Sequence, residues 1–191
     1  MIGDMQAKLI SAMKRPFASA AVRRLLGQQD GAAAVEFALV AAPFLALVFA
    51  IMETALVFFA GQTLETAAAD SARLIMTGQA QTQGFNQAQF KTAVCGKMYG
   101  FFNCNAGLFV DVKKYTSFAS IDNSKLPLDA NGNLQTDTFG YQTGGPGDIV
   151  VVRLMYQWPV YVSLLGLNLS DMTGGKRLLM STTAFRNEPY L

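Results

Sequence analysis

The sequence predicts an α+β protein in which a long amino-terminal helix supports a second short helix and a small antiparallel sheet of three to four strands. Three observations predict this class. An apolar segment runs from residue 32 to 60, an amphipathic segment with helical spacing follows it as far as Gly78, and strand-like alternation appears only after residue 107. The expected divisions are a basic leader (1–31), an apolar helix (32–60), its amphipathic continuation (61–78) and an outer domain (79–191).

The apolar segment is long enough to cross a lipid bilayer. Its only ionisable groups are Glu36 and Glu53, and no charged residue occurs between Phe37 and Met52. At about 1.5 Å per residue the whole segment gives about 43 Å of helix, more than a hydrocarbon core of about 30 Å. We therefore predict one transmembrane helix, the alternative being a buried core helix. No second apolar stretch of this length exists, so a single crossing is expected.

The charges before Gly31 predict the orientation of this helix. Five cations precede the apolar segment and outnumber the two acids there: Lys8, Lys14, Arg15, Arg23 and Arg24 against Asp4 and Asp30. Such an excess marks the cytoplasmic side, so the carboxyl-terminal domain is expected in a periplasm or outside the cell. The net charge of the whole chain is only +2, which gives no reason to expect a nucleic-acid partner.

Two cleavage sites are conceivable for such an amino terminus. A secretory signal would be cut after its apolar region at small residues, but Phe58 and Phe59 make a poor site there. Cleavage after Gly31 would instead leave the apolar helix on the mature protein, beginning at Ala32. We favour the second site.

The residues around Gly31 resemble the processing site of type IV prepilins, with Glu36 at the fifth mature position. The wider string from Gly31 to Pro43, together with Glu53 and residues 62–73, is similar to the TadE/TadG-like family of tight-adherence (Flp-type) pilus biogenesis. The strong resemblance covers residues 23–78, and residues 182–190 support it. It implies a pilin-like fold and the role of a minor pilin or pseudopilin. A membrane prepilin peptidase would cut the chain, which would then join other pilin-like subunits at the inner-membrane assembly platform and support surface adhesion.

The carboxylate of Glu36 needs a reason, because an acid at the centre of a membrane helix costs about 2.5–3.5 kcal/mol. Cleavage would free an amine on Ala32, which is protonated near neutral pH. A carboxylate one turn further along could pair with the amine of its own or a neighbouring subunit and select one axial stagger. The alternative is that Glu36 reaches the cytoplasmic headgroups.

Alanines recur at every fourth position of the apolar helix. Small residues at this spacing let helix backbones approach closely in lipid. The row predicted to pack against another helix consists of Ala34, Ala38, Ala42, Ala46 and Ala50, with Glu53 near its far end. Chance is the alternative in a chain so rich in alanine.

The outer domain has one further helix, three strands and the two cysteines of the chain. We expect a helix over residues 85–99 and strands over 108–115, 148–160 and 177–186, with residues 79–86 as a connector. Cys95 and Cys104 would lie in an oxidising compartment, where a disulfide is expected, two separate buried thiols being the alternative. The apolar segment 161–172 is expected as a loop folded onto the core, or else as a patch for subunit or membrane contact.

The composition argues against catalysis. The chain contains no histidine, which excludes a Ser-His-Asp triad, a Cys-His dyad and the helical zinc-protease motif. Two cysteines without histidine make an incomplete zinc site, so no metal and no cofactor are expected. Two non-enzymatic functions remain: a minor pilin cleaved after Gly31, or an uncleaved single-pass envelope protein that acts as a scaffold or binding module.

Overall fold

Helix α1 spans Ala32–Met76 of the computed structural model, which describes residues 31–100, 102–121, 127–163 and 166–190. The predicted continuous helix is therefore confirmed, and Pro43 lies inside it. It ends before Gly78, the predicted stop, whose φ of 77° is accessible mainly to glycine. The basic residues of the leader lie outside the described residues. The chain divides into two compact units between Leu45 and Ala46.

Three short helices follow α1. Helix α2 spans Gln79–Thr82, α3 spans Gln87–Cys95 and α4 spans Cys104–Gly107. The segment at residues 79–86, predicted as a connector, joins α1 to α3 and contains the four-residue α2. The predicted second helix is shorter than expected. It begins where the side chain of Asn86 accepts a hydrogen bond from the Gln89 N–H (2.9 Å) and the Gln89 side chain accepts one from the Asn86 N–H (2.9 Å).

The sheet has three antiparallel strands in the order β1-β2-β3. Strand β1 spans Leu108–Tyr115, β2 spans Ile149–Pro159 and β3 spans Lys176–Arg186, so the predicted strands are confirmed to within one residue. Val152 of β2 is opposite Val112 of β1 on one side and Thr183 of β3 on the other. Short 3₁₀ turns lie at Phe118–Ser120 and Thr136–Thr138.

The main core lies between α1, α3 and one face of the sheet. As the alternation predicted, every second residue of β2 faces this core, namely Val150, Val152, Leu154, Tyr156 and Trp158. Phe90 and Val94 of α3 complete it and are fully buried. The opposite face of β2 contributes Met155 to a second, smaller cluster with Met172 and Leu178.

The carboxyl-terminal segment closes the end of the domain that lies next to Met76. The Glu188 N–H donates to the Met76 carbonyl (2.9 Å), and the Asn187 side-chain amide donates to the carbonyls of Thr143 (2.9 Å) and Gly145 (3.0 Å). The Gly145 N–H donates to Asp148, which lowers the pKa of that carboxyl. The chain end is thus bound to the end of α1.

Gly78→Ala is expected to destabilise this end of the domain more than Gly84→Ala does. Both glycines have positive φ, so alanine is strained at both by about 1–2 kcal/mol. A Cβ at residue 78 would also overlap the Tyr190 ring, whereas a Cβ at residue 84 would meet nothing within 4 Å. The overlap should cost a further ~1–3 kcal/mol in the free energy of unfolding. Equal denaturation midpoints for the two variants would contradict this packing.

Candidate membrane-anchoring and assembly helix

The first half of α1 presents large apolar side chains to its surroundings. Among the described residues, α1 is the one helix long and apolar enough to cross a membrane. An exposed apolar surface of this extent marks a membrane or protein interaction site. Its large exposed side chains are Val35, Phe37, Leu39, Val40, Phe44, Leu45, Leu47, Phe49, Ile51, Met52, Leu56, Phe58 and Phe59.

Glu36 is exposed at the fifth residue of α1, among these apolar side chains. It follows Ala32 by four residues, which is about one helical turn and about 6 Å along the axis. Its carboxylate is therefore accessible to a partner molecule and close to the amine that cleavage after Gly31 would create. The pairing of Glu36 with this amine stays a prediction.

The predicted row of alanines has two different environments. Ala34, Ala38 and Ala42 are exposed, whereas Ala46 is half-buried and Ala50 is buried. The three exposed alanines are accessible to another helix. The role of the row in helix packing stays a prediction.

Glu53 is buried in the structure and binds the chain that follows β2. Its side chain is 3 % exposed, and its Oε1 accepts a hydrogen bond from the Tyr161 N–H at 3.2 Å. A buried carboxylate must be paired or hydrogen-bonded to be tolerated. The loop after β2 provides that bond, so Glu53 fixes this loop to α1.

The buried face of α1 begins earlier than the sequence indicated. Sequence reasoning placed the packing face after Gly61, but burial starts at Ala50. The spacing of three and four residues extends from there to the end of the helix. The buried residues are Ala50, Glu53, Val57, Ala60, Leu64, Ala67, Ala68, Ser71, Ala72 and Ile75. This spacing could have predicted the buried face from the sequence. It was missed because apolar residues occupy all sides of the helix over residues 50–60, so the buried positions do not stand out.

The comparison with protein families agrees with this helix. The family model described as TadE-like protein matches residues 31–73. Residues 31–73 are a TadE-like segment. The match begins at Gly31, includes Glu36 and Glu53, and confirms the resemblance to TadE/TadG-like proteins of Tad pili over this part of the chain. No curated protein and no solved structure matches the chain.

The TadE-like segment borders a groove against β3. The groove has a volume of about 570 Å³ and lies between the helix and the edge strand. Its walls include Val57, Phe58 and Glu65 from the helix and Leu179 and Met180 from β3. The strand at the other edge of the sheet, β1, is instead paired with the segment at residues 140–142, which forms backbone hydrogen bonds with Val112.

Beyond the TadE-like segment, the predicted disulfide joins Cys95 at the end of α3 to Cys104 at the start of α4. The two Cα atoms are 5.8 Å apart. The loop that it closes is bound to β2, because the Asn103 N–H donates to the Tyr156 hydroxyl at 2.8 Å. Phe102 packs edge-on against the rings of Tyr156 and Trp158. The disulfide therefore holds an aromatic cluster at one end of the sheet.

Replacing both cysteines by serine is expected to lower the free energy of unfolding by about 2–3 kcal/mol, the chain-entropy value for a loop this short. Denaturation of the purified full-length protein in detergent measures the change. Reduction of the wild-type protein is the matched control and should reproduce the loss. A variant that unfolds at the wild-type midpoint would show that Phe102 and Asn103 hold the loop unaided.

Glu53→Ala is expected to release the loop after β2 from the TadE-like helix. The substitution removes the partly buried hydrogen bond from the Tyr161 N–H to the Glu53 side chain, which should cost about 1.5–3 kcal/mol. Limited proteolysis of the loop and denaturation both report the loss. Glu53→Gln is the control, because its amide oxygen can still accept the bond. If the two variants behave alike, the hydrogen bond does not hold the loop.

The other sequence-predicted segment, 161–172, is a loop with two kinds of contact. Leu169 packs against the main core and Met172 is buried in the smaller cluster, as expected for a loop folded onto the domain. Tyr161 and Leu167 are instead exposed, at 70 % and 50 %. Leu164 and Leu165 lie outside the described residues.

Proposed function

We propose that this protein is a minor pilin or pseudopilin of a tight-adherence type IV pilus. A prepilin peptidase cleaves it after Gly31, and its amino-terminal helix then assembles with other pilin-like subunits to support pilus biogenesis and surface adhesion. The observation that carries this proposal is the TadE-like match, which begins at Gly31 and covers the exposed apolar helix. The match indicates a Tad pilus-associated protein.

The proposed location is the bacterial inner membrane. The leader lies in the cytoplasm, the first half of α1 crosses the bilayer, and residues beyond it form a periplasmic domain. Support comes from the cations before Gly31 and from the exposed apolar side chains of α1. The partners are the prepilin peptidase, other pilin-like subunits, the inner-membrane assembly platform and the lipid bilayer.

The proposed role is structural and needs no catalytic site. The family that residues 31–73 match is one of pilus structural or assembly proteins. The first half of the helix offers apolar surface, small residues and the accessible carboxylate of Glu36, which suits packing within a helix bundle in lipid.

Deletion of the gene tests the proposal. The deleted strain is expected to lose surface pili, seen by electron microscopy, and to attach poorly to surfaces, and expression of the full-length chain should restore both. The restored strain controls for effects on neighbouring genes. A deleted strain with wild-type pili and attachment would contradict the proposed function.

A further inference from the structure

We propose that the membrane-proximal surface of the outer domain lies in the interfacial layer of the periplasmic leaflet of the inner membrane, beside the helix. This membrane-proximal surface is defined by Tyr99, Tyr161, Leu167 and Lys176. Its partner is a lipid surface, with acyl chains for the apolar side chains and phosphate for the cation. The inference rests on the proposed membrane anchoring and adds a second, shallow contact to it.

The loop after β2 lies at the level of the apolar part of α1. The Tyr161 N–H binds Glu53, which lies within the apolar part of α1. The loop therefore lies directly against a turn of the helix whose other sides carry exposed apolar residues such as Ile51, Met52 and Leu56. A loop at this level lies next to the membrane if α1 crosses it. It also removes the carboxylate of Glu53 from contact with lipid.

The exposed surface of this loop continues the apolar surface of the helix. Leu167, which is 50 % exposed, lines a cavity of about 350 Å³ with the helix. All the other lining residues belong to α1, and Thr54 is the one polar side chain among them: Leu47, Ala50, Ile51, Thr54, Ala55 and Phe58. An open apolar cleft of this kind suits an acyl chain better than water.

Two exposed tyrosines lie at this end of the domain. Tyr161 is 70 % exposed and Tyr99 is 76 % exposed. Tyr99 lies in the loop that the disulfide closes. Asn103 binds this loop to Tyr156, which lies three residues before β2 ends at Pro159. Tyrosine is enriched at membrane–water interfaces because its ring is apolar and its hydroxyl remains hydrated.

An exposed cation also lies at this end of the domain. Lys176 is exposed at the start of β3, opposite Pro159, and its ammonium group is 3.1 Å from the Gln157 side-chain oxygen. A lysine here can reach lipid phosphate. The charged neighbours of Lys176 bind protein groups. Asp171 accepts a hydrogen bond from the Leu178 N–H through Oδ1 (2.7 Å). Arg177 donates a hydrogen bond to the Leu169 carbonyl.

The length of the helix agrees with a membrane boundary at this level. If the interface lies near Glu53, residues 32–51 cross the bilayer, which gives about 30 Å at 1.5 Å per residue. This equals the thickness of a typical hydrocarbon core. A boundary at residue 60 would place about 43 Å of helix within the bilayer, which would require strong tilt of the helix or deformation of the bilayer.

Depth-dependent fluorescence quenching tests the inference on the full-length protein. The two native cysteines form the disulfide, so a single introduced cysteine can be labelled with a fluorophore. Labels are placed at Leu167→Cys, at Val40→Cys in the proposed span, and at Gln83→Cys beyond the far end of α1. Each variant is reconstituted into vesicles of phosphatidylcholine and phosphatidylglycerol at no more than one protein per vesicle. The lipids carry nitroxide on either the shallow or the deep part of the acyl chain. Emission from the buried Trp158 reports that each variant is folded.

Shallow nitroxide is expected to quench the label at residue 167 several-fold more than the label at residue 83. Deep nitroxide is expected to quench the label at residue 40. Quenching at residue 40 without quenching at residue 167 would overturn this inference and leave the anchor intact. Lack of quenching at residue 40 would overturn the anchor and the proposed function with it. Equal quenching at residues 167 and 83 would show nonspecific association and would also overturn the inference.

Discussion

Gly31→Ala is expected to leave the protein in membranes at its full length, with the processed form reduced roughly tenfold or more. A peptidase site that accepts glycine at the cut excludes an added methyl group, and one such group in a tight pocket costs ~1–3 kcal/mol, or about 10–200-fold in rate. The chain itself tolerates the change, because a Cβ at residue 31 meets nothing within 4 Å. Immunoblots of cells that express a prepilin peptidase measure the ratio of the two forms.

The matched control is Gly61→Ala. Gly61 lies within α1, and a Cβ there also meets nothing within 4 Å, but it is far from the proposed cut. This variant should be processed at the wild-type level. Normal maturation of the Gly31 variant would mean that cleavage occurs elsewhere or not at all.

Glu36→Ala is expected to abolish pilus assembly while cleavage proceeds normally. An ion pair between the Glu36 carboxylate and the amine of Ala32 would be worth up to ~4 kcal/mol at 4 Å and an effective dielectric constant of about 20. Loss of that energy removes the preference for one stagger between neighbouring helices. The pili in sheared fractions measure assembly, and the mobility of the processed form measures cleavage.

Two control variants make this result specific. Glu36→Gln keeps the size and removes the charge, so it should fail as Glu36→Ala does if pairing with the amine matters. Glu65→Ala removes an exposed carboxylate from the same helix, outside its apolar segment at residues 32–60, and should assemble normally. Wild-type piliation of the Glu36→Gln strain would refute the ion pair.

The elements of the fold followed from local sequence patterns. Helix α1 and strand β2 were predictable because each repeats its apolar residues at the period of one secondary structure over many residues. The end of α1 was predictable from Gly78. The disulfide required only the oxidising compartment and the two cysteines. These features depend on residues close together in the chain.

The remaining features depend on contacts between distant residues, and no local pattern contains them. Gly107 is glycine because a Cβ there would overlap the Tyr156 ring in β2. Asn187 binds the carbonyls of Thr143 and Gly145, which lie more than forty residues earlier. The role of Glu53 required knowledge that the loop at Tyr161 returns to α1. From the sequence alone, Glu53 was predicted only as the end of the alanine row that packs against another helix.

The intact mass of the protein extracted from membranes distinguishes a cleaved pilin from an uncleaved envelope protein. We expect a chain that begins at Ala32, retains the apolar helix and contains the Cys95–Cys104 disulfide. A membrane-extracted chain that still carries residues 1–31 would contradict the pilin assignment and would favour the uncleaved envelope scaffold.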